Sequence, residues 1–418
     1  MVLIPAVSSH CADQWLRTCQ VNTLRPVHGV TDDGRYRSFA IEQTAVPEHP
    51  VLRNHRLAVG LYSEGPDGLT RTHRVELDVS GARTEVAELV GVALPDLLLV
   101  NDDDLTYCKV RLDERSLATV VARVADLTDP LPRALCWSAA WDMTRDGEMA
   151  ARDYVRLVLN GIGGESDIGV VQSLIRQVGM ALTRYADPAW APSGWTALAD
   201  AAHDALLSAA PGSDSQLTWT HAFAAAARSA GHLAALRGML DGTAPVEGLR
   251  VDADLRWTLL NGLVAMGAAG DAEIEAESER DPTASGQRRA ATARALRPTA
   301  AAKAEAWRQA VEDETLPNAL TEAITRGFPH PAQEDLLRPY VGRYIDSVAD
   351  VWERRSSDVA QKLVTGLFPH VIERSTVDAA DAFLARADVP PALRRLVDEG
   401  RADVVRALRA RERDRARG

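Results

Sequence analysis

The stretch Leu97-Leu98-Leu99-Val100-Asn101-Asp102-Asp103-Asp104-Leu105-Thr106-Tyr107-Cys108-Lys109-Val110-Arg111-Leu112-Asp113 decides how this chain is read. Leu97 to Val100 is an uninterrupted apolar run, as in a strand buried on both faces. After the acidic turn, Cys108, Val110 and Leu112 alternate with Tyr107, Lys109 and Arg111, the period of two of a half-buried strand. At about Ser116 the period changes. Leu117, Val120, Val121 and Val124 fall at i, i+3, i+4 and i+7, one face of a helix. Strands therefore precede this point and helices follow it.

Working backward, Val75, Leu77 and Val79 alternate with Arg74, Glu76 and Asp78, and Leu57, Val59 and Leu61 alternate likewise. Between them Gly65-Pro66-Asp67-Gly68 is a turn, because proline presets φ and glycine permits positive φ. Asp32-Asp33-Gly34 predicts an earlier hairpin. Short strands with turns between them predict a small antiparallel β-sandwich.

Working forward, helical stripes recur to the end. Val171, Leu174, Ile175, Val178 and Leu182 form one, and Leu255, Leu259, Leu263 and Met266 another. Leu337, Val341, Tyr344, Ile345, Val348 and Trp352 form a longer one, which starts or kinks at Pro339. The breaks are short: Gly163-Gly164-Glu165-Ser166, Pro211-Gly212-Ser213-Asp214 and Asp281-Pro282-Thr283. Short links imply antiparallel neighbours, and roughly a dozen or more helices in a row predict stacked helix pairs in an irregular superhelix of the HEAT or armadillo kind. Arg409 to Arg417 reads as a solvated helix end or frayed tail.

At 418 residues the chain is too long for one ordinary core. A formal net charge of −12 argues against nucleic acid as a partner. No run of 18 apolar residues exists, so no transmembrane span is expected. The opening Met1 to Val7 is apolar but lacks a preceding basic residue, and is read as no export signal. Cys11, Cys19, Cys108 and Cys136 form no CxxC pair and read as reduced thiols of a cytoplasmic protein.

Local chemistry is sparse. A zinc peptidase helix needs two histidines a turn apart with a glutamate as base. His10, His28, His49, His55, His73, His203, His221, His232, His330 and His370 include no such pair, and none is followed by Glu. No phosphate loop or GxSxG elbow exists, and Gly161-Ile162-Gly163-Gly164 reads as a helix cap. Asp102-Asp103-Asp104 reads as a solvated turn rather than a cation site. Trp137 and Trp141 read as core rather than as the walls of a ligand cleft. No catalytic, cofactor-binding or metal-ligating residue is assigned.

The opening stretch also resembles the strand pair leading into the helical C-terminal domain of aminopeptidase N enzymes, which are thermolysin-like zinc aminopeptidases. Asn101, Tyr107, Val110 and Asp113 carry the resemblance there. Trp15-Leu16 with Val21-Asn22-Thr23-Leu24-Arg25-Pro26 resembles the exit from the catalytic domain into the sandwich. Leu131 to Trp137, Trp141 to Glu148 and Glu165 to Leu174 resemble the early helices of actinobacterial members. The resemblance implies that the zinc ligands, the base and the amine-gripping motif belong to another half. Gly147-Glu148-Met149 holds letters of that last motif in the wrong order.

These readings give a layout of a divergent leader at 1–14, a β-sandwich domain at 15–115, an α-helical domain at 116–408 and a charged tail at 409–418. By the resemblance, the chain is the non-catalytic C-terminal portion of a truncated or split enzyme, capping the catalytic cleft and restricting substrate access. It is expected to be inactive alone and to hold no cofactor, zinc belonging to the full-length family. The expected partners are a separate catalytic half or peptides, with no nucleic acid and no membrane. Alternative readings are an independent helical-repeat binding module and a decayed gene product. A large apolar patch facing the catalytic domain would separate the first reading from an independent module.

Overall fold

The computed structural model describes residues 14–418, so most of the leader, with His10 and Cys11, lies outside the described residues. The chain falls into two compact units, Met1–Glu165 and Ser166–Gly418.

The first unit holds β1 (Thr23–Val30), β2 (Tyr36–Thr44), β3 (His55–Gly65), β4 (Gly68–Val79), β5 (Arg83–Glu85), β6 (Leu97–Asp102) and β7 (Lys109–Val110). They form a four-stranded sheet, β5-β2-β1-β7, and a three-stranded sheet, β4-β3-β6. Both predicted hairpin turns are present, with Gly34 and Gly68 at φ +75° and +102°. β7 pairs with β1 in parallel, so that sheet is mixed rather than wholly antiparallel. Every residue of β6 is buried, as its apolar run predicts. Helices α1 (Glu114–Arg123) and α2 (Pro130–Arg145) pack against β6, and α3 (Ala151–Gly161) packs on both helices. The change of period has a local cause. The Asp113 side chain accepts the Ser116 N–H and caps α1, while the Leu98 N–H donates to Ser116 Oγ at 2.8 Å and ties β6 to the helix.

The second unit is helical. It contains α4 (Ile168–Met180), α5 (Ala191–Ser208), α6 (Asp214–Ala226), α7 (Ala230–Asp241), α8 (Ala253–Ala265), α9 (Asp271–Arg280), α10 (Ala284–Leu296), α11 (Ala300–Trp307) and α12 (Asn318–Gly327). It continues with α13 (Glu334–Leu337), α14 (Tyr340–Arg354), α15 (Ser357–Gly366), α16 (Arg374–Leu384) and α17 (Pro391–Arg415). Asp167, Ser213, Ser229, Asp252, Thr283 and Thr299 each accept a backbone N–H from the first turn of the helix they precede. Such caps contribute about 1 kcal/mol each and explain why the sequence breaks carry these residue types. Neighbours in sequence pack together, as α5 with α6 and α16 with α17. Pro339 stands immediately before α14, where the apolar stripe predicted a start.

The closing Arg-rich residues differ from the expected solvated or frayed end. α17 runs through them, and Ala410, Arg411 and Asp414 are buried. Arg411 donates to the carbonyls of Thr183, Arg184 and Ile372, and Asp414 accepts the Asp187 N–H at 2.8 Å. The Thr183 and Arg184 carbonyls become available because Ala181–Tyr185 is a π-helical turn at the end of α4. Among the described residues no helix is long and apolar enough to cross a membrane.

Candidate functional site

Two turns of the helical unit share the sequence Phe-Pro-His. Phe328-Pro329-His330 follows α12, and Phe368-Pro369-His370 follows α15. The first is fixed from below by Lys303, which is fully buried and donates its Nζ to the carbonyls of Ala295 (2.8 Å) and Phe328 (2.7 Å). Burial pulls this lysine down to about 7. Phe328 also packs edge-on to Tyr340 at 4.9 Å. Gln333 donates to the carbonyls of Ala265 and Leu296, both at 2.8 Å, and so holds the segment after the turn.

His330 Nδ1 accepts the Ala332 N–H at 3.2 Å. Its proton therefore sits on Nε2 when the ring is neutral. Burial holds the ring neutral by pulling it down to about 3, helped by the nearby cations Arg228 and Lys303. His370 is likewise pulled down to about 4, chiefly by burial. A cavity of about 260 Å³ is lined by both turns together with Thr183, Arg184, Glu334 and Leu337.

A second cavity, of about 360 Å³, shares His330 and Pro331 with the first and adds Trp195, Arg228 and Asn261. A third, of about 520 Å³, shares Trp195, Arg228 and Pro331 with the second. The three adjoin around Pro331. The Arg228 guanidinium lies over the Trp195 ring, 4.5 Å from its centre, and donates to the carbonyls of Ala225 and Ala227. Burial pulls this arginine down to about 10, and among the described residues no carboxylate pairs with it. Asn261 Oδ1 is buried without a hydrogen-bond partner. Other charges lining these cavities are paired, Arg184 with Asp403 at 3.1 Å and Glu334 with Arg411 at 3.7 Å. The arrangement thus offers a cation and an imidazole N–H to an acceptor, a carbonyl oxygen to a donor, and an indole face between. That is equipment for holding a ligand.

Residues 97–406 match the ERAP1-like C-terminal domain. The chain belongs to this family. It is 52% identical over 410 residues to an aminopeptidase N of Streptomyces lividans, a match covering 96% of this chain and 48% of that protein. The chain spans about half the length of this relative, as the C-terminal half of an aminopeptidase N does.

Other residues singled out by sequence in this ERAP1-like chain have structural employment. Asp102 is fully buried, a correction to the solvated turn. It accepts from Tyr62 Oη and Arg71, both at 2.8 Å, while Asp103 pairs with Arg71 and Arg74. Trp137 is buried and donates to Glu165 at 3.0 Å, beside Arg133. Trp141 packs on Tyr154, with ring centres 5.2 Å apart. Glu148 pairs with Arg25 and Arg111. Gly161 ends α3, and a 3-10 turn follows over Ile162–Gly164. Among the described residues no three His, Cys, Asp or Glu side chains converge to hold a metal. Sequence reasoning missed the Pro331 cavities. The repeated Phe-Pro-His was the available signal, and the isolation of Arg228 leaves none.

Proposed function

We propose that this chain is the non-catalytic C-terminal portion of an aminopeptidase N, a cytoplasmic protein whose helices cap the catalytic cleft and limit which peptides enter it. The observation that carries the reading is the set of cavities around Pro331, where among the described residues no carboxylate pairs with Arg228 and no donor reaches Asn261 Oδ1. A peptide end supplies both missing groups, a carboxylate for Arg228 and an amide N–H for Asn261, and its side chain can lie on Trp195. Aminopeptidases work at the other end of the peptide, so this surface holds what is distal to the chemistry. Cleavage itself needs a metal-activated water and a base, which a separate catalytic half supplies. The chain alone is therefore expected not to hydrolyse aminoacyl anilides.

Calorimetric titration tests the reading with a peptide and its C-terminally amidated twin. The free carboxylate binds about tenfold tighter or more, since a charge-assisted bond contributes roughly 1.5–3 kcal/mol. Equal affinities, or no binding by either, count against it. Chelator-sensitive anilide hydrolysis by the chain alone contradicts the non-catalytic assignment.

A further inference from the structure

The largest of the three cavities around Pro331, about 520 Å³, has rigid apolar walls. Pro192 and Trp195 sit three residues apart in the first turns of α5 and so share a face of that helix. Pro188 lies just before α5, and Pro331 opens the short turn before α13. The three prolines are exposed, and Trp195 is half-buried. The walls are held from behind. Arg411 binds the carbonyls of Thr183 and Arg184 on one side, and Gln333 binds those of Ala265 and Leu296 on the other.

The polar side chains of this cavity are already engaged. The Thr183 and Thr196 hydroxyls donate to the carbonyls of Gly179 and Pro192, at 2.7 and 3.1 Å. Ser229 Oγ receives the His232 N–H at 3.2 Å, and Glu334 faces Arg411 at 3.7 Å. The Trp195 indole N–H differs, because it donates to no acceptor among the described residues. The cavity therefore offers a donor and apolar rings, and little to receive an N–H. A peptide segment matched to it brings carbonyl oxygens and no N–H groups. Proline answers that description, since its backbone nitrogen carries no hydrogen. Successive prolines also hold an extended polyproline II backbone, whose carbonyls make no internal hydrogen bonds. Aromatic-lined grooves take such segments because little conformational freedom is lost on binding.

We propose that the cavity of Pro188, Pro192, Trp195 and Pro331 receives a proline-containing segment of the peptide, with the Trp195 N–H donating to one of its carbonyls. This rests on the functional reading above, in which Arg228 takes the peptide carboxylate and Asn261 an amide N–H. The last residue keeps its own N–H for Asn261, so the prolines come immediately before it. The cavity shares Trp195, Arg228 and Pro331 with the one that Asn261 lines, so the chain passes from one to the other without a gap.

Calorimetric titration of the full chain tests the preference. Two peptides of equal length end in the same leucine with a free carboxylate; one carries proline at the residues just before it, the other alanine. The proline peptide is expected to bind at least about fivefold tighter, the worth of one hydrogen bond of ordinary net strength. Equal or weaker binding overturns the inference. Trp195→Phe keeps a ring and removes the N–H, and the advantage of the proline peptide is expected to shrink in it. Pro192→Ala, at an exposed wall, is expected to shrink it too and serves where the phenylalanine variant melts early. An advantage undiminished in both variants belongs to the stiffness of the free peptide and also overturns the inference. C-terminal amidation separates this result from the functional reading. A proline advantage that survives while the amide binds as tightly as the acid upholds the cavity and defeats the peptide-end reading; carboxylate dependence without a proline advantage does the reverse.

Discussion

Arg228 stacks on Trp195 and spends donors on two backbone carbonyls, yet among the described residues it pairs with no carboxylate. Arg228→Ala is expected to erase the preference for a free peptide carboxylate. Arg228→Lys should fail to restore it, because an ammonium cannot reproduce the planar stack. Calorimetry with the same peptide pair checks both. His55 allows a second prediction. Gln43 Nε2 donates to the Gly81 carbonyl, so its Oε1 accepts from the Arg53 N–H and from His55 Nε2–H. That leaves His55 Nδ1 as the acceptor of the Thr106 hydroxyl in a neutral ring. Burial, with Arg53 adding to it, pulls His55 down to about 4. Between pH 6.5 and 4 the unfolded chain binds the proton and the folded one does not, so stability falls as pH falls through that window. The slope is on the order of 1.4 kcal/mol per pH unit at most, and urea midpoints at pH 7 and 4.5 should converge in His55→Asn. None of this could be read from the sequence. A histidine before an alternating strand carries no mark of its partners, and Asp102 looked solvated because its burial depends on Tyr62 and Arg71 across the sheet.

At the level of strands and helices, close approaches decide. A Cβ on Gly60 of β3 would clash with Asp102 Oδ2, so the glycine makes room for the buried carboxylate of β6. Gly60→Ala is expected to destabilise the first unit by about 1–3 kcal/mol, read as a lower urea midpoint of its transition. α17 is held by Arg411, whose donors reach three carbonyls on two other segments. Arg411→Met should cost about 2–4 kcal/mol by leaving those carbonyls unpaired, and should speed hydrogen exchange in α17 before the rest of the helical unit. Helix starts were legible because Asp, Ser and Thr caps lie next to the helices they serve. The anchoring of the last helix was not, because a run of arginines looks the same whether its partners are water or distant carbonyls.

For the whole chain, division into units at Glu165 and Ser166 makes a single melting temperature an incomplete description. Calorimetry is expected to resolve two transitions. Limited proteolysis should cut first at the exposed Gly163-Gly164 link, releasing two fragments that keep their cores. One transition with no preferred cut would argue against independent units. The order of strands then helices, and the kinship carried by Asn101, Tyr107 and Asp113, could be read along one dimension, since both depend on neighbours in sequence. The cavities could not, because Thr183, Arg228, His330 and His370 meet only once the helices stack. Lys303 has one more consequence. At pH 8 most of this amine is already the free base, and so the form that attacks acylating reagents, yet no reagent molecule reaches it behind the Phe328 turn. Its acetylation is therefore a stopwatch that runs only while that turn is open, and the lag relative to surface lysines gives the fraction of time the helical unit spends ajar.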